Sequence, residues 1–540
     1  MDLLESSLFT DLISDLMRQY HIPGLSIAVV RNGEVASSGF GRSHFHDPFT
    51  PCTGDTLYDI ASSSKSLTAA SVALLVDDKD HPDMQYDALM SRLLPEDFVM
   101  QNQSHTDGVT VEDVLSHRTG MAGHDNSYMG EHAAQPDNAK TVTRNLRNLK
   151  EAAPLRSRYL YCNMMYTVAA HLVEEKSKKR FSEFLEERIF DPLQMNSTTL
   201  QPKSAYDKGW KDRMAQGHIW ENHQFRAVDA QDCPEGQGAG SVISSANDFI
   251  KWVKALLYRE GPINDKVYQG LTKMRSIVNP NARRLRAHTT PANYTAGMEI
   301  YFYRGSMVVG HDGNIPGFSS RFIFMPDKKF GAVVLGNSAD ARGASTTIMR
   351  ALMDEVLGVP IAERPFLNNN SNKNRNGPKR VATIHPKQSK DHAEDQAQTQ
   401  KNADNTKAEA KVKNKTKGES QNKSGGNPQK RKTISPPQET PLKAYVGNYR
   451  NAGYHNLKVE IKDNQLFIDA TDRSMGFTMK FRHVNDQTKY IGHLIDDIKN
   501  DDELVDAEFQ FDGERVLKLG LDLEPVIKEL IWFEHCGNSG

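Results

Sequence analysis

Apolar residues follow three different patterns along the chain. Helical and strand-like spacings are mixed over residues 1–366, whereas residues 367–441 contain no aromatic residue and few branched aliphatic residues. Over residues 442–540, apolar and polar residues alternate in short runs that turn residues separate. This division predicts a mixed domain, a polar linker and an all-β domain.

The mixed domain has strand patterns at both ends and helical patterns between them. GLSIAVV and EVASSGFG flank Arg31-Asn32-Gly33 and predict a hairpin. We therefore expect an α+β fold in which one antiparallel sheet is flanked by helices and interrupted by a helical insertion at about 76–235. The other predicted strands are SMVVGHDG, SRFIFMP and FGAVVLGN, and the predicted helices are LTAASVALLVDD, TVAAHLVEEKSKKRFSEFLEERIF, SSANDFIKWVKALLYREG and TTIMRALMDEVLG.

The two parts of the chain after residue 366 differ in how much apolar surface they can bury. Residues 367–441 have too few apolar side chains to offset the entropy lost on ordering, so we predict a disordered linker. Its basic run at 430–432 fits a nuclear signal, a nucleic-acid contact or a solvated spot, and we favour the last. The alternating runs of residues 442–540 predict a small antiparallel β-barrel or a sandwich.

Composition narrows the classes of partner. The 540 residues contain 67 Lys and Arg against 69 Asp and Glu, so no global charge favours nucleic acid or an anionic membrane. Cys52, Cys162, Cys233 and Cys536 are too sparse for a disulfide scaffold and lack metal-ligand spacing. No secretory signal or apolar membrane span is recognisable. We therefore expect a soluble cytoplasmic protein without metal, cofactor, membrane or nucleic-acid partner.

Ser62 and Lys65 form a Ser-x-x-Lys motif at the start of an apolar helix. Residues three apart lie on one helix face, so the Lys65 amine can reach the Ser62 hydroxyl. A desolvated lysine can lose its charge and take the hydroxyl proton, which activates the serine as a nucleophile. The motif alone is weak, because Ser420 and Lys423 repeat it inside the linker, and its bland interpretation is a helix cap with a surface lysine.

Two further segments carry groups that complement an activated serine. Tyr161 and Asn163 precede an apolar helix, and a phenol can relay a proton while an amide can hold an amine and a substrate carbonyl. His311, Gly313 and Asn314 lie at a strand end, where glycine lets a substrate approach the strand edge and the Asn314 N–H can face an oxyanion. A histidine at a strand end is otherwise a hydrogen-bonded structural residue.

The three segments together resemble a known family. SSSK, YCN and HDG occur in the order typical of the serine β-lactamase and penicillin-binding-protein superfamily, and the class C β-lactamase-like branch with its esterases, D-aminopeptidases and acyltransferases is the nearest. The end of the chain resembles the lipocalin-like β domain of some members. The supporting segments are VEDVLSHRTGM, GAGSVISSANDFIKW and GHDGNIPGFSSRFIFMPDKKFGAVVLGN for the first domain, and YVGNYRNAGY, DNQLFIDA and WFEHC for the last.

The resemblance implies a role for each motif residue. Ser62 would be the acylated nucleophile, and Lys65 and Tyr161 would share general acid and base catalysis as a coupled pair. The resemblance also implies that substrate binding and oxyanion stabilisation involve Asn163, His311, Gly313 and Asn314. The Ser62 and Asn314 N–H groups would form the oxyanion hole.

Two residues of the third motif depart from true β-lactamases. His311 replaces a lysine that helps to hold the substrate carboxylate, and Asp312 stands where those enzymes have a small hydroxyl residue. A negative charge at 312 should disfavour a carboxylate-bearing β-lactam. The resemblance then favours the esterase and peptidase branches over antibiotic resistance.

We therefore predict a serine hydrolase that forms a covalent acyl-enzyme on a small-molecule ester, amide or peptide, such as a secondary metabolite. Acyl transfer uses the same chemistry with a different second nucleophile, so it remains an alternative. A catalytically inactive binding or scaffold protein is the alternative from another class, and the completeness of the three motifs argues against it. The terminal barrel either restricts access to the site or serves as a stability appendage.

Overall fold

The computed structural model describes residues 4–45, 49–364, 438–498 and 502–537. They form a mixed unit up to residue 364 and a β-barrel from residue 438 onward. The predicted linker at 367–441 lies outside the described residues, apart from 438–441. Gln438 packs on the barrel, because its amide donates to the Tyr445 hydroxyl (3.0 Å) and accepts from the Tyr490 hydroxyl (2.8 Å).

Strands from both ends of the first unit meet in one sheet, as predicted. The strands of this unit are β1 (Gly24–Arg31), β2 (Glu34–Gly41), β3 (Leu57–Asp59), β4 (Thr199–Leu200), β5 (Gly217–Glu221), β6 (Gln224–Val228), β7 (Val242–Ser245), β8 (Ser276–Ile277), β9 (Asn293–Tyr294), β10 (Glu299–Tyr303), β11 (Ser306–Ile315), β12 (Phe318–Met325) and β13 (Phe330–Gly336). The main sheet is antiparallel and has the order β2-β1-β13-β12-β11-β10-β9-β8. The predicted hairpin β1–β2 and strands β11, β12 and β13 are therefore confirmed.

The sequence patterns do not predict several of the strands in this unit. Strands β8 and β9 have two residues each, too short for alternation to be visible, and they extend the sheet beyond β10. The region predicted as a helical insertion is also not wholly helical. It contains β4, which pairs with β7 beside β3, and the β5–β6 hairpin.

Helices fill the space between and beside these strands. One predicted helix over residues 167–190 is interrupted, because Lys178 adopts a left-handed conformation (φ 59°) that caps α7. Among the described residues, no helix is both long and apolar enough to cross a membrane. The helices are α1 (Ser7–Gln19), α2 (Lys65–Asp77), α3 (Met90–Leu93), α4 (Gln103–Gly108), α5 (Val111–Leu115), α6 (Ala139–Asn145), α7 (Asn163–Ser177), α8 (Phe181–Leu185), α9 (Pro202–Asp207), α10 (Ala246–Tyr258), α11 (Asp265–Thr272) and α12 (Ala341–Val356).

Strand β1 shows why the central strands are apolar without alternation. Its Ile27 and Val29 side chains join the core under α1 and α12, whereas Ala28 and Val30 join the core that contains α2 and α10. Both faces of the strand are therefore buried, and a continuous apolar run is the expected pattern.

The last part of the chain is a closed antiparallel barrel, which confirms the barrel over the sandwich. Its strands pair in chain order, and the last strand pairs with the first. The strands are β14 (Gly447–Asn451), β15 (His455–Lys462), β16 (Gln465–Ala470), β17 (Phe477–Asn485), β18 (Lys489–Asp496), β19 (Asp502–Asp512), β20 (Arg515–Leu521) and β21 (Ile531–His535).

Candidate active site

Ser62 lies on a tight turn between β3 and the buried helix α2. The strand ends at Asp59, and a short 3-10 turn (Ala61–Ser64) leads directly into the helix. Ala61 has a left-handed backbone (φ 47°), and its N–H donates to the Asp59 carboxyl group at 2.7 Å. This turn leaves Ser62 partly exposed between buried neighbours.

Lys65 is fully buried and contacts three oxygen atoms. Its Nζ lies 2.9 Å from Ser62 Oγ, 2.9 Å from Asn163 Oδ1 and 2.7 Å from the Ala239 carbonyl oxygen. A neutral amine suits this arrangement, because its two N–H groups can donate to the two carbonyl oxygens while its lone pair faces the Ser62 hydroxyl. Burial lowers the pKa of Lys65 to about 7, against the opposing effect of the Asp125 charge.

The Tyr161 hydroxyl donates to Ser62 Oγ at 3.0 Å. Tyr161 lies just before α7, which begins at Asn163. Burial raises the pKa of Tyr161 well above its usual value, so the phenol keeps its proton at neutral pH. His117 supports this segment: its Nδ1 accepts from the Cys162 N–H at 3.1 Å, and its ring centroid lies 4.3 Å from that of Tyr161.

Asn163 is the first residue of α7 and bridges two ionisable groups. Its Oδ1 accepts from Lys65, and its Nδ2 donates to the two Asp125 carboxyl oxygens at 3.3 and 3.5 Å. The first two sequence motifs therefore converge on one hydroxyl, with Ser62, Lys65, Tyr161 and Asn163 joined by direct hydrogen bonds.

His311 stands beside this cluster with both ring nitrogens engaged. Its Nδ1–H donates to the Asp312 carbonyl oxygen (2.6 Å), and its Nε2 accepts from the Tyr294 hydroxyl (3.0 Å). Burial lowers the pKa of His311 to about 4, so the ring is neutral at pH 7. Its ring centroid lies 6.5 Å from that of Tyr161.

Asp312 does not present a free negative charge. Its carboxylate pairs with Arg321 Nη2 at 3.1 Å and with Arg342 Nε at 2.8 Å. Although burial alone would raise the pKa of Asp312, the two guanidinium groups hold it below its usual value. The sequence-based argument that this residue repels a substrate carboxylate is therefore weakened, because two arginines compensate the charge.

Gly313 packs its backbone against the turn that carries the nucleophile. A Cβ atom added there would lie 2.3 Å from the Ile60 carbonyl oxygen, 2.6 Å from Ser320 Oγ and 2.8 Å from the Ser62 backbone nitrogen. Strand β11 thus approaches Ser62 as closely as only glycine allows, and Asn314 follows in the same strand.

Four residues that contact the motif residues of the site belong to no catalytic motif themselves. His117 and Ala239 lie in segments that support the family resemblance, so the resemblance could have pointed to them. Asp125 and Tyr294 lie in no such segment, and no pattern in the sequence marks them as neighbours of Asn163 and His311.

One group of side chains has the composition of a metal site. Asp97, His171 and Glu175 place their ligand atoms within 4.8 Å of one another. However, Arg144 Nε lies 2.6 Å from the Asp97 carboxylate, and Lys140 Nζ lies within 4 Å of both Asp97 and Glu175. These cations already compensate the carboxylates, so the cluster is an ion-pair network in character.

Comparison with known proteins agrees with the geometry. The chain is 32% identical over 356 residues to an unguisins hydrolase (ungD') of Aspergillus campestris, a match that covers 65% of each protein. It is 24% identical over 361 residues to a D-aminopeptidase of Brucella canis, covering 64% of this chain and 62% of the relative. The chain thus matches slightly less than two thirds of the length of these relatives.

A solved structure and two family models extend the comparison. The octameric penicillin-binding protein homologue from Pyrococcus abyssi has a TM-score of 0.57 and 19% identity, covering 99% of this chain and 100% of that one, so it shares the fold. The barrel region, residues 430–535, matches a domain of unknown function, DUF3471. Residues 9–352 match the Beta-lactamase family model, and the chain belongs to that family.

Proposed function

We propose that the protein is a serine hydrolase that cleaves an amide or ester bond through an acyl-enzyme on Ser62. The observation that carries this proposal is the pair of polar contacts on Ser62 Oγ, with Lys65 Nζ at 2.9 Å and with the Tyr161 hydroxyl at 3.0 Å. A buried amine that can be neutral and a phenol that keeps its proton are together a base and an acid for one hydroxyl.

The geometry supports a two-stage reaction. Neutral Lys65 takes the Ser62 proton while Ser62 Oγ bonds to the substrate carbonyl carbon, and the Ser62 and Asn314 N–H groups stabilise the resulting oxyanion. The leaving group departs with a proton passed from Lys65 or Tyr161, which leaves an ester on Ser62. Water then attacks this ester, returning its proton through the same groups and releasing the acid.

Two relatives and the exposure of the site support a substrate class. The name D-aminopeptidase indicates cleavage of an amide bond in a peptide, and the name unguisins hydrolase indicates a hydrolase. The partly exposed Ser62, Tyr161 and Asn163 would face the substrate, with the neutral ring of His311 beside them. We therefore propose a small peptide or related amide as the substrate. Acyl transfer would need an amine or alcohol in place of water.

Covalent labelling tests the proposal directly. A fluorophosphonate probe should add one adduct to the full-length protein. Trypsin should then release the adduct on residues 43–65, which contain Ser62, Ser63 and Ser64 as well as Ser43. Fragment ions should place the probe on Ser62, because Ser63 and Ser64 are buried. The Ser63 hydroxyl is hydrogen-bonded to that of Ser320, and the Ser64 hydroxyl accepts from the Val242 N–H.

The linker provides a matched control for labelling. Ser420→Ala alters the other Ser-x-x-Lys sequence and should be labelled like the wild type, whereas Ser62→Ala should not be labelled. Equal labelling of the wild type and Ser62→Ala would contradict the proposal and favour a scaffold role. Release of the acyl group to an added amine in preference to water would favour acyl transfer.

The acylation rate should rise with pH and level off above about pH 7. The cause is Lys65, whose pKa burial lowers to about 7 and which must be neutral to accept the Ser62 proton. Below its pKa the rate should fall about tenfold per pH unit, because only the neutral fraction reacts. Single-turnover acylation from about pH 5 to about pH 9 measures this profile. A rate that stays level down to about pH 5 would instead implicate a group of lower pKa, such as a carboxyl group or His311, whose pKa burial lowers to about 4.

A further inference from the structure

The loop over residues 121–130 joins the active site to the barrel. On its outer side, the Gly130 N–H donates to the Asp472 carbonyl oxygen (2.9 Å), and the Ser474 N–H donates to the Tyr128 carbonyl oxygen (3.2 Å). These backbone bonds attach the loop to the barrel segment between β16 and β17. On its inner side, the same loop carries Asp125 into contact with Asn163.

His124 connects this loop to the barrel through hydrogen bonds. Its N–H donates to the Glu524 carboxyl group at 2.7 Å, and its Nε2–H donates to the Lys150 carbonyl oxygen at 2.9 Å. Its Nδ1 accepts from the Tyr454 hydroxyl at 2.8 Å. His124 has a left-handed backbone (φ 51°), a strained conformation that surrounding contacts must maintain. Two of its three partners, Glu524 and Tyr454, belong to the barrel part of the chain.

Asp125 fixes which way the Asn163 amide faces. When ionised, its carboxylate can only accept, so it selects the orientation in which Asn163 Nδ2 points to it and Oδ1 points to Lys65. Burial raises the pKa of Asp125, whereas the hydrogen bond from Asn163 and the charge of Lys65 lower it. In the reverse orientation the amide N–H groups would face the Lys65 amine and compete with its own N–H groups. The Lys65 lone pair would then lose its alignment with Ser62.

We propose that Asp125 is a positioning residue for the Ser62 site and that the barrel holds it in place through Glu524 and His124. This inference rests on the proposed function and deepens it. The barrel is then a functional part of the site, since a contact about 400 positions away in sequence sets the orientation of the amide beside the base.

Removing the Asp125 carboxylate should slow acylation more than it weakens substrate binding. In Asp125→Ala the acylation rate constant should fall about tenfold to a hundredfold, because Asn163 loses its acceptor. Asp125→Asn should recover part of the rate, because its amide oxygen can accept from Asn163 Nδ2, although its amide nitrogen no longer excludes the reverse orientation. Stopped-flow acylation with an activated ester at saturating and subsaturating concentrations separates the rate constant from binding.

A double-mutant cycle tests whether Asp125 acts through Asn163. In an Asn163→Ala background, Asp125→Ala should cause little further loss of rate. Additive losses would overturn the proposal, because they would mean that Asp125 acts independently of Asn163.

Two variants of Glu524 test whether its contact with the His124 N–H matters for activity. Glu524→Ala should reproduce the loss seen in Asp125→Ala, whereas Glu524→Gln should retain most activity because its amide oxygen still accepts from the His124 N–H. Glu529→Gln is the matched control, since Glu529 pairs with Lys150 at the same interface but is largely exposed, and it should behave like the wild type. Equal activity of Glu524→Ala and the wild type would overturn the role of the barrel.

A structural readout separates this inference from the proposed function. A neutron crystal structure of Asp125→Ala, in which the hydrogens distinguish the amide nitrogen from the oxygen, should show Asn163 Oδ1 turned away from Lys65 Nζ, whatever reaction the protein performs. An unchanged contact between Lys65 and Asn163 would contradict the inference even if Ser62 is labelled. Absence of Ser62 labelling in the wild type, with a turned amide in the variant, would instead contradict only the proposed function.

Discussion

Replacing Lys65 with methionine should slow acylation of Ser62 by about a thousandfold, the largest loss expected from a group other than the nucleophile. Lys65 Nζ contacts Ser62 Oγ at 2.9 Å, and among the described residues no other basic nitrogen is hydrogen-bonded to that oxygen. Methionine fills similar volume without a lone pair that can take the proton. Single-turnover acylation by an activated ester, followed by mass spectrometry, measures the loss.

Folding must be separated from chemistry for this variant. Circular dichroism and thermal melting should show that Lys65→Met is folded, because the lost desolvation cost of the buried lysine offsets the loss of a donor to the Asn163 and Ala239 carbonyl oxygens. Lys266→Met is a control at an exposed position that pairs with Asp77, and it should retain the wild-type rate. A folded Lys65→Met variant with a loss smaller than about tenfold would contradict the role of Lys65 as the base.

Local spacing was enough to predict the inner part of the site. Ser62 and Lys65 lie three residues apart where a 3-10 turn becomes α2, so their contact follows from helical geometry. Tyr161 and Asn163 could be assigned only through the family resemblance, because no physical rule gives the distance between residues so far apart in sequence. The same holds for the approach of Gly313 to the Ser62 turn.

The second layer of the site could not be predicted from sequence. Asp125 and Glu524 are single acids without a motif, and their relation to Asn163 depends on how the barrel docks on the first unit. The alternation of β14 to β21 predicts a barrel or a sandwich, but it carries no information about which outer residues meet the insertion. His311 shows the same limit, since its bond to Tyr294 depends on a short, unpredicted strand.

The Gly313→Ala substitution should lower the acylation rate about a hundredfold to a thousandfold through steric displacement alone. The added Cβ would lie 2.3 Å from the Ile60 carbonyl oxygen and 2.8 Å from the Ser62 nitrogen, both backbone atoms that cannot rotate away. Strand β11 and the turn must therefore separate by about an ångström, which moves the Asn314 and Ser62 N–H groups away from the positions that we propose for them around the oxyanion. Acylation kinetics of the full-length variant measure the loss.

Gly240→Ala separates this displacement from a general effect of replacing glycine near the turn. A Cβ at residue 240 would lie 3.8 Å from Ala61, an ordinary contact with the same turn, so this variant should keep its rate within a fewfold of the wild type. If the fit of β11 against the turn builds the oxyanion hole, Gly313→Ala should lose rate while still binding substrate, because binding does not require the two N–H groups to converge. Equal rates for the two variants would mean that the oxyanion is stabilised elsewhere, and the assignment of Asn314 would then fail.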